Sequence, residues 1–168
     1  MKINATMGVK SLKYGVIQDG QSTATASTAV SDVYQDTCTF VTKDPTTTEH
    51  KSETSKKRII IQTKEPHNLV FSIMDPTPEE MAAFMGGTNH TSGSGASAVV
   101  DGFTESEDAE QINMSFEITP VAGLKLKIPS ASVSAKINST FSAKGITLLE
   151  VTATTTSAIT YGEESSAS

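Results

Sequence analysis

The chain has no tryptophan, three tyrosines and one cysteine, Cys38, in 168 residues. A lone cysteine excludes an internal disulfide and any cysteine-rich zinc site. Charge is sparse at 19%, and basic residues are the scarcer kind, 13 against 19 acidic. Residues 1–84 hold 9 basic and 10 acidic side chains; residues 85–168 hold 4 and 9. A chain of this balance lacks the basic face of a sequence-specific nucleic-acid binder. No apolar run approaches the ~20 residues of a membrane-spanning helix. The opening Met1-Lys2-Ile3-Asn4-Ala5-Thr6 lacks the apolar stretch of a signal peptide, so folding in the cytosol is expected. Nucleophile elbow, phosphate loop and zinc-protease patterns are all missing. His50, His67 and His90 fall in predicted loops without metal-ligand spacing. The expectation is therefore a non-enzyme without cofactor or metal, whose function lies in assembly or binding.

What the chain has is serine and threonine, together roughly a quarter of it and well above ordinary usage, set in a pattern of period two. Ile112, Met114, Phe116 and Ile118 alternate with Asn113, Ser115, Glu117 and Thr119. A strand sends alternate side chains to opposite faces, so one face is buried and the other wet. Pro120 to Gly123 break the run, and Leu124, Leu126 and Ile128 resume it. If the break is a hairpin, Glu117 opposes Lys125, a cross-strand pair worth ~0.2–1 kcal/mol. Further strands are predicted at 131–138, 146–156, 13–17, 31–41, 58–63 and 69–74, with Asp19-Gly20 as a turn. Cys38 then sits in a strand as a small core residue. Threonine favours strands, so the Ser/Thr content reads as wet strand faces.

One short helix is predicted at about 77–85. Thr77 caps it, Pro78 suits its first position, and Glu80 completes a capping box. Gly86-Gly87 stops it, and Met81, Phe84 and Met85 form its apolar stripe. The segment 42–57 is polar and aperiodic, a long loop for a compact domain. Residues 88–98 are Gly/Ser-rich and predicted to be a mobile loop, and 22–28 are likewise expected to be irregular. The domain expectation is one unit over 1–168, with flexible ends at 1–7 and 162–168.

Asp101, Glu105, Glu107, Asp108 and Glu110 form an acidic cluster without the ligand order of an EF-hand. They read as a solvated face and as a candidate acidic interface. Lys51, Lys56, Lys57 and Arg58 make the 42–57 loop positive, and an acidic surface on another subunit is the natural complement.

Several stretches in order resemble the major tail tube proteins of long-tailed bacteriophages. These are Gly8-Val9-Lys10-Ser11-Leu12-Lys13-Tyr14-Gly15, Tyr34-Gln35-Asp36-Thr37-Cys38, and Asp44-Pro45-Thr46-Thr47-Thr48-Glu49-His50. A fourth is Leu69-Val70-Phe71-Ser72-Ile73-Met74-Asp75-Pro76, leading to Phe84-Met85-Gly86-Gly87-Thr88. The resemblance spans about Gly8 to Tyr161. It implies a mainly β, sandwich- or barrel-like subunit with one flanking helix, forming stacked hexameric rings around a hollow channel. It further implies an inter-ring contact loop, here matching Asp44, His50, Lys51, Lys56, Lys57 and Arg58. The implied partners are further copies of the chain, a tape measure protein, a tail terminator and baseplate or hub proteins. Viral DNA would pass in transit without sequence-specific binding, and there would be no membrane insertion. The implied location is the virion tail, after synthesis in the host bacterial cytoplasm.

A channel wall must be hydrated and must not grip DNA. Asn113, Ser115, Glu117 and Thr119, with Ser132, Ser134 and Asn138, are the candidate lumen face. Acid excess repels phosphate and favours sliding, although Lys125, Lys127 and Lys136 depart from a purely acidic wall. Two other readings fit the same pattern: a β-sandwich adhesion or decoration module, and the inner tube of a contractile injection or secretion device.

Overall fold

The computed structural model describes residues 7–165. Its strands are β1 (Met7–Val16), β2 (Thr28–Ala29), β3 (Thr39–Val41), β4 (Thr46–Lys51), β5 (Arg58–Thr63), β6 (Asn68–Met74), β7 (Thr88–Ser92), β8 (Val99–Thr104), β9 (Ile112–Ser139), β10 (Thr147–Thr155) and β11 (Thr160–Ser165). One α-helix, α1 (Pro78–Met85), and one 3-10 turn at Gly95–Ser97 complete the described residues. The fold is mainly β and antiparallel with a single short helix, as the sequence predicts. The principal sheet runs β2-β1-β9-β10-β6-β3, with β11 beside β9; β4-β5 and β7-β8 form two separate hairpins.

Alternation explains the core. Leu12 and Tyr14 of β1, Phe116 and Ile118 of β9, Val151 and Ala153 of β10, and Phe71 and Ile73 of β6 are all buried. The helix closes this face. Phe84 lies 4.8 Å from Tyr14 and 5.9 Å from Phe71, ring centre to ring centre, and Phe71 lies 6.0 Å from Phe116. Tilted and edge-on rings at these spacings are favourable, so three strands and the helix meet at one aromatic cluster. Thr77 caps α1 by accepting the Glu80 amide at 3.2 Å, and the Gly86 amide ends it on the Ala82 carbonyl. Gly86, at φ +79°, supplies the left-handed stop. The buried residues of α1 are Glu80 and Phe84, while Met81 is half-exposed.

At 28 residues, β9 would span about 90 Å if straight, so it bends. The Ser115 hydroxyl donates to the Pro129 carbonyl at 2.6 Å, and Gln111 Nε2 reaches Ser132 Oγ at 2.9 Å. Contacts between residues so far apart in sequence require the strand to double back, with its reversal at Val121-Ala122-Gly123. Gly123 there has φ +115°, a left-handed conformation open to glycine. The chain folds back after Ile118, as the sequence leads one to expect. Phe116 and Ile118 before the reversal, and Leu126 and Ile128 after it, are all buried.

Four sequence expectations change. The 31–41 stretch is not one strand: Val33 makes a single bridge to Ile73, Asp36 turns the chain at φ +60°, and only Thr39–Val41 pairs. The predicted 42–57 loop contains a strand, β4, with irregular segments on either side of it. Thr46 pairs with Thr63 and Lys51 with Arg58, so the polar segment and the Ile59-Ile60-Ile61 run form one hairpin. Neither strand of it is buried, so no inward alternation marks β4 in the sequence. The 88–98 stretch contains β7, paired to β8, where β-branched Thr88 and Thr91 favour extended backbone despite the following Gly93 and Gly95. At the termini, Met7 pairs with Ala122, and β11 continues to Ser165 along β9, where a loose tail from 162 is expected. Residues 1–6 and 166–168 lie outside the described residues.

Candidate assembly surfaces

Three surfaces stand out, and each follows from the strand pattern. The first is the arm made by β4 and β5, whose strands pair only with each other. Every residue of both strands is exposed, including Ile59, Ile60 and Ile61 at 47%, 56% and 48%. The register divides the arm into two faces. His50 pairs with Ile59, Thr48 with Ile61, and Thr46 with Thr63, which leaves one face without carboxylate, lysine or arginine. Lys51 with Arg58 and Glu49 with Ile60 make the other face charged. Glu49 binds both Arg58 and Lys51, the latter at 3.8 Å. Part of the positive charge read from the sequence is thus met within the arm. At the tip, Ser52 Oγ accepts the Thr54 and Ser55 amides, and the Ser52 amide donates to Lys57. At the base, Thr46 Oγ1 donates to Glu65 at 2.5 Å, and the Lys43 amide donates to His67 Nδ1 at 3.1 Å. Asp44, His50, Lys51, Lys56, Lys57 and Arg58 are all exposed on or beside this arm.

The second surface is the sheet face turned away from the core. Gln111 Nε2 bonds both Asn113 Oδ1, at 3.2 Å, and Ser132 Oγ, so the two predicted lumen sets are neighbours. Ser134 and Asn138 are exposed, and Glu117 and Thr119 half-buried. Ser115 does not fit a hydrated wall: it is 3% exposed. The segment 24–26 crosses over it, and the Ala24 amide donates to Ser115 Oγ at 2.9 Å. Gly15, opposite Ser115, has no room for a side chain, since a Cβ would lie 2.2 Å from the Thr25 carbonyl oxygen. The irregular 22–28 segment is therefore fixed across this face, a cover the sequence does not announce. Charge on the face is mixed. Lys13 sits opposite Glu117 by register, and Lys136 pairs with Glu150 at 3.3 Å. With Lys125 and Lys127 added, the acid excess of the chain does not reside here.

Acid lies instead in the third set, Asp101, Glu105, Glu107, Asp108 and Glu110, all exposed on β8 and the turn after it. Glu110 reaches back to the end of α1, where a Cβ on Gly86 would meet its carboxylate at 2.5 Å.

A groove of about 610 Å³ opens on the core side of the sheet. Leu69, Ile118 and Leu126 form its floor, with Val9, Leu124 and Tyr161 on its walls. Cys38 also borders it, and burial pushes its thiol up to about 11 from 9.0. No group of three or more metal-ligating side chains gathers among the described residues. None of their helices is long and apolar enough to cross a membrane.

No protein-family model and no curated protein matches the chain. Among solved structures, it is similar to a chain of the cryo-EM structure of an extracellular contractile injection system, the PVC sheath-tube complex in its extended state. The TM-score is 0.40 at 10% identity, over 95% of each chain. A likeness of that size does not establish a shared fold.

Proposed function

We propose that the protein is a structural subunit that assembles with copies of itself into stacked rings, forming the hollow tube of a phage-like tail. The observation that carries this reading is the arm. A hairpin that holds three consecutive isoleucines in water, apart from the core, gains nothing for the monomer. Burying them on a partner removes apolar area from water at ~25 cal/mol per Å². The face with Ile59 and Ile61 suits a flat contact, and the charged face with Lys51 and Arg58 keeps the free arm soluble.

The order of sequence features that resembles tail tube proteins supports the particular kind of assembly, and the arm occupies the position of the expected inter-ring loop. In this reading, the hexameric ring, the tape measure protein and the passage of DNA come with that resemblance. The mixed-charge sheet face around Asn113, Ser132 and Lys136 is the lumen candidate, and salt-linked Lys136 and Glu150 keep it from gripping phosphate. Sedimentation of the wild-type chain beside a variant lacking Ser52 to Lys56 tests the reading. Large assemblies from the former and only single rings or smaller from the latter are expected. Equal assembly by both contradicts the role of the arm.

A further inference from the structure

Phe141 is the most exposed apolar side chain described, at 98%. It stands at the tip of the turn between β9 and β10. The Ser142 amide bonds Thr140, and the Gly145 amide bonds Ser142. Gly145 is required there because a Cβ would lie 2.1 Å from the Thr140 carbonyl oxygen. The turn is thus tight and pinned, and it carries one aromatic ring outward; Ile137 and Ile146, before and after it in the chain, are exposed as well. Single apolar residues at a surface are ordinary. A phenylalanine raised on a closed turn, with almost none of its surface covered, is a different object.

The same molecule holds a matching socket. The apolar groove of about 610 Å³ is floored by Leu69, Ile118 and Leu126. Its β9 residues, Ile118, Pro120, Leu124 and Leu126, lie around the reversal in the middle of that strand, whereas Phe141 follows the strand's C-terminal end at Ser139. The near-complete exposure of the ring establishes that Phe141 does not fill the groove of its own chain. The charges also match: Lys144 is exposed on the tip, and Asp36 lines the groove. The isoleucines of the arm compete poorly for this site, since they lie on broad strand faces rather than on a narrow projection.

We infer that Phe141 of one copy inserts into the groove of a second copy, with Lys144 beside Asp36 of that copy. The knob and the socket are different surfaces, so the contact is heterologous and generates a ring or an open filament rather than a closed pair. This rests on the self-assembly reading above and supplies a contact distinct from the arm. A buried aromatic ring in a pocket is the usual anchor of an interface.

Cys38 makes the test direct, because it borders the groove. Phe141→Cys places a second thiol on the knob. Assembled protein is oxidised with copper phenanthroline at pH 9, and the products are separated on a denaturing gel without reductant. A 141-to-38 bond links each copy to two others, giving a ladder of trimers and above, whereas 141-to-141 bonds stop at dimers. The expected result is a ladder from F141C that is lost, leaving dimers at most, when Cys38→Ser is added. Circular dichroism like that of the wild type establishes folding. Ile59→Cys is the competing arm: a ladder from I59C and none from F141C would assign the groove to the hairpin and overturn the inference. Assembled F141C protein that gives dimers alone overturns it too, leaving the tube reading intact. Wild-type chains that stay monomeric at every concentration contradict both. In the absence of oxidant, Phe141→Ala is expected to raise the concentration needed for assembly by about 30-fold.

Discussion

The Ser115 hydroxyl donates to the Pro129 carbonyl at 2.6 Å while accepting the Ala24 amide at 2.9 Å. One small side chain thus joins the two limbs of folded-back β9 to the segment that crosses them. Ser115→Ala removes the acceptor of one half-buried group and the donor to another. The expected cost is about 1–3 kcal/mol, seen as a lower urea midpoint with an unchanged slope. A midpoint equal to that of the wild type contradicts this role for Ser115.

The arm separates stability from assembly. Replacing Ile59, Ile60 and Ile61 together with threonine keeps β-branched residues in β5 and takes nothing from the core. The change in unfolding free energy should stay within about 0.5 kcal/mol per site. Assembly, followed by light scattering, should fail. A variant that loses fold stability along with assembly would show that the arm supports the body.

Helix α1 depends on its cap. Thr77 accepts the Glu80 amide and donates to the Glu80 carboxylate at 3.2 Å. Thr77→Ala should cost about 1 kcal/mol and Thr77→Ser much less. Chemical denaturation of the two variants measures the difference.

Alkaline pH should weaken the fold through two groups. Burial raises Cys38 from 9.0 to about 11. Tyr14 is also raised above 10.0, by burial first and then by Glu80 and Glu79. For both, the folded state holds its proton more tightly than the unfolded state. Their contributions are complete below pH 9 and are lost as pH rises through the folded-state values. The urea midpoint should fall from pH 9 upward, and Cys38→Ala should remove the earlier part of the fall. Alkylation of Cys38 at pH 8 should run about 100-fold slower than for a thiol at 9.0, following its thiolate fraction. A midpoint that is flat to pH 11 contradicts both shifts.

Much of the body was legible in sequence because burial leaves a signature. The alternation at Ile112 to Ile118 predicts a strand with one core face, and Thr77-Pro78 with Gly86-Gly87 predicts α1. The arm was not legible as a strand pair, because β4 is exposed on both faces and alternation records only burial. The irregular 31–38 stretch misleads for the opposite reason: Val33 and Cys38 are half-buried, yet a left-handed Asp36 breaks the extension between them. Ser115 looks like a wet-face residue, since the segment that covers it arrives from nearly a hundred positions away. The groove and Phe141 have no local signature, because one is a product of tertiary closure and the other of exposure.

The most direct measurement is negative-stain electron microscopy of the purified chain across a rising concentration series. The account predicts rings with a central hole that stack into tubes of constant width, and their loss when Ile59, Ile60 and Ile61 are replaced. Dispersed single subunits throughout the series would contradict it.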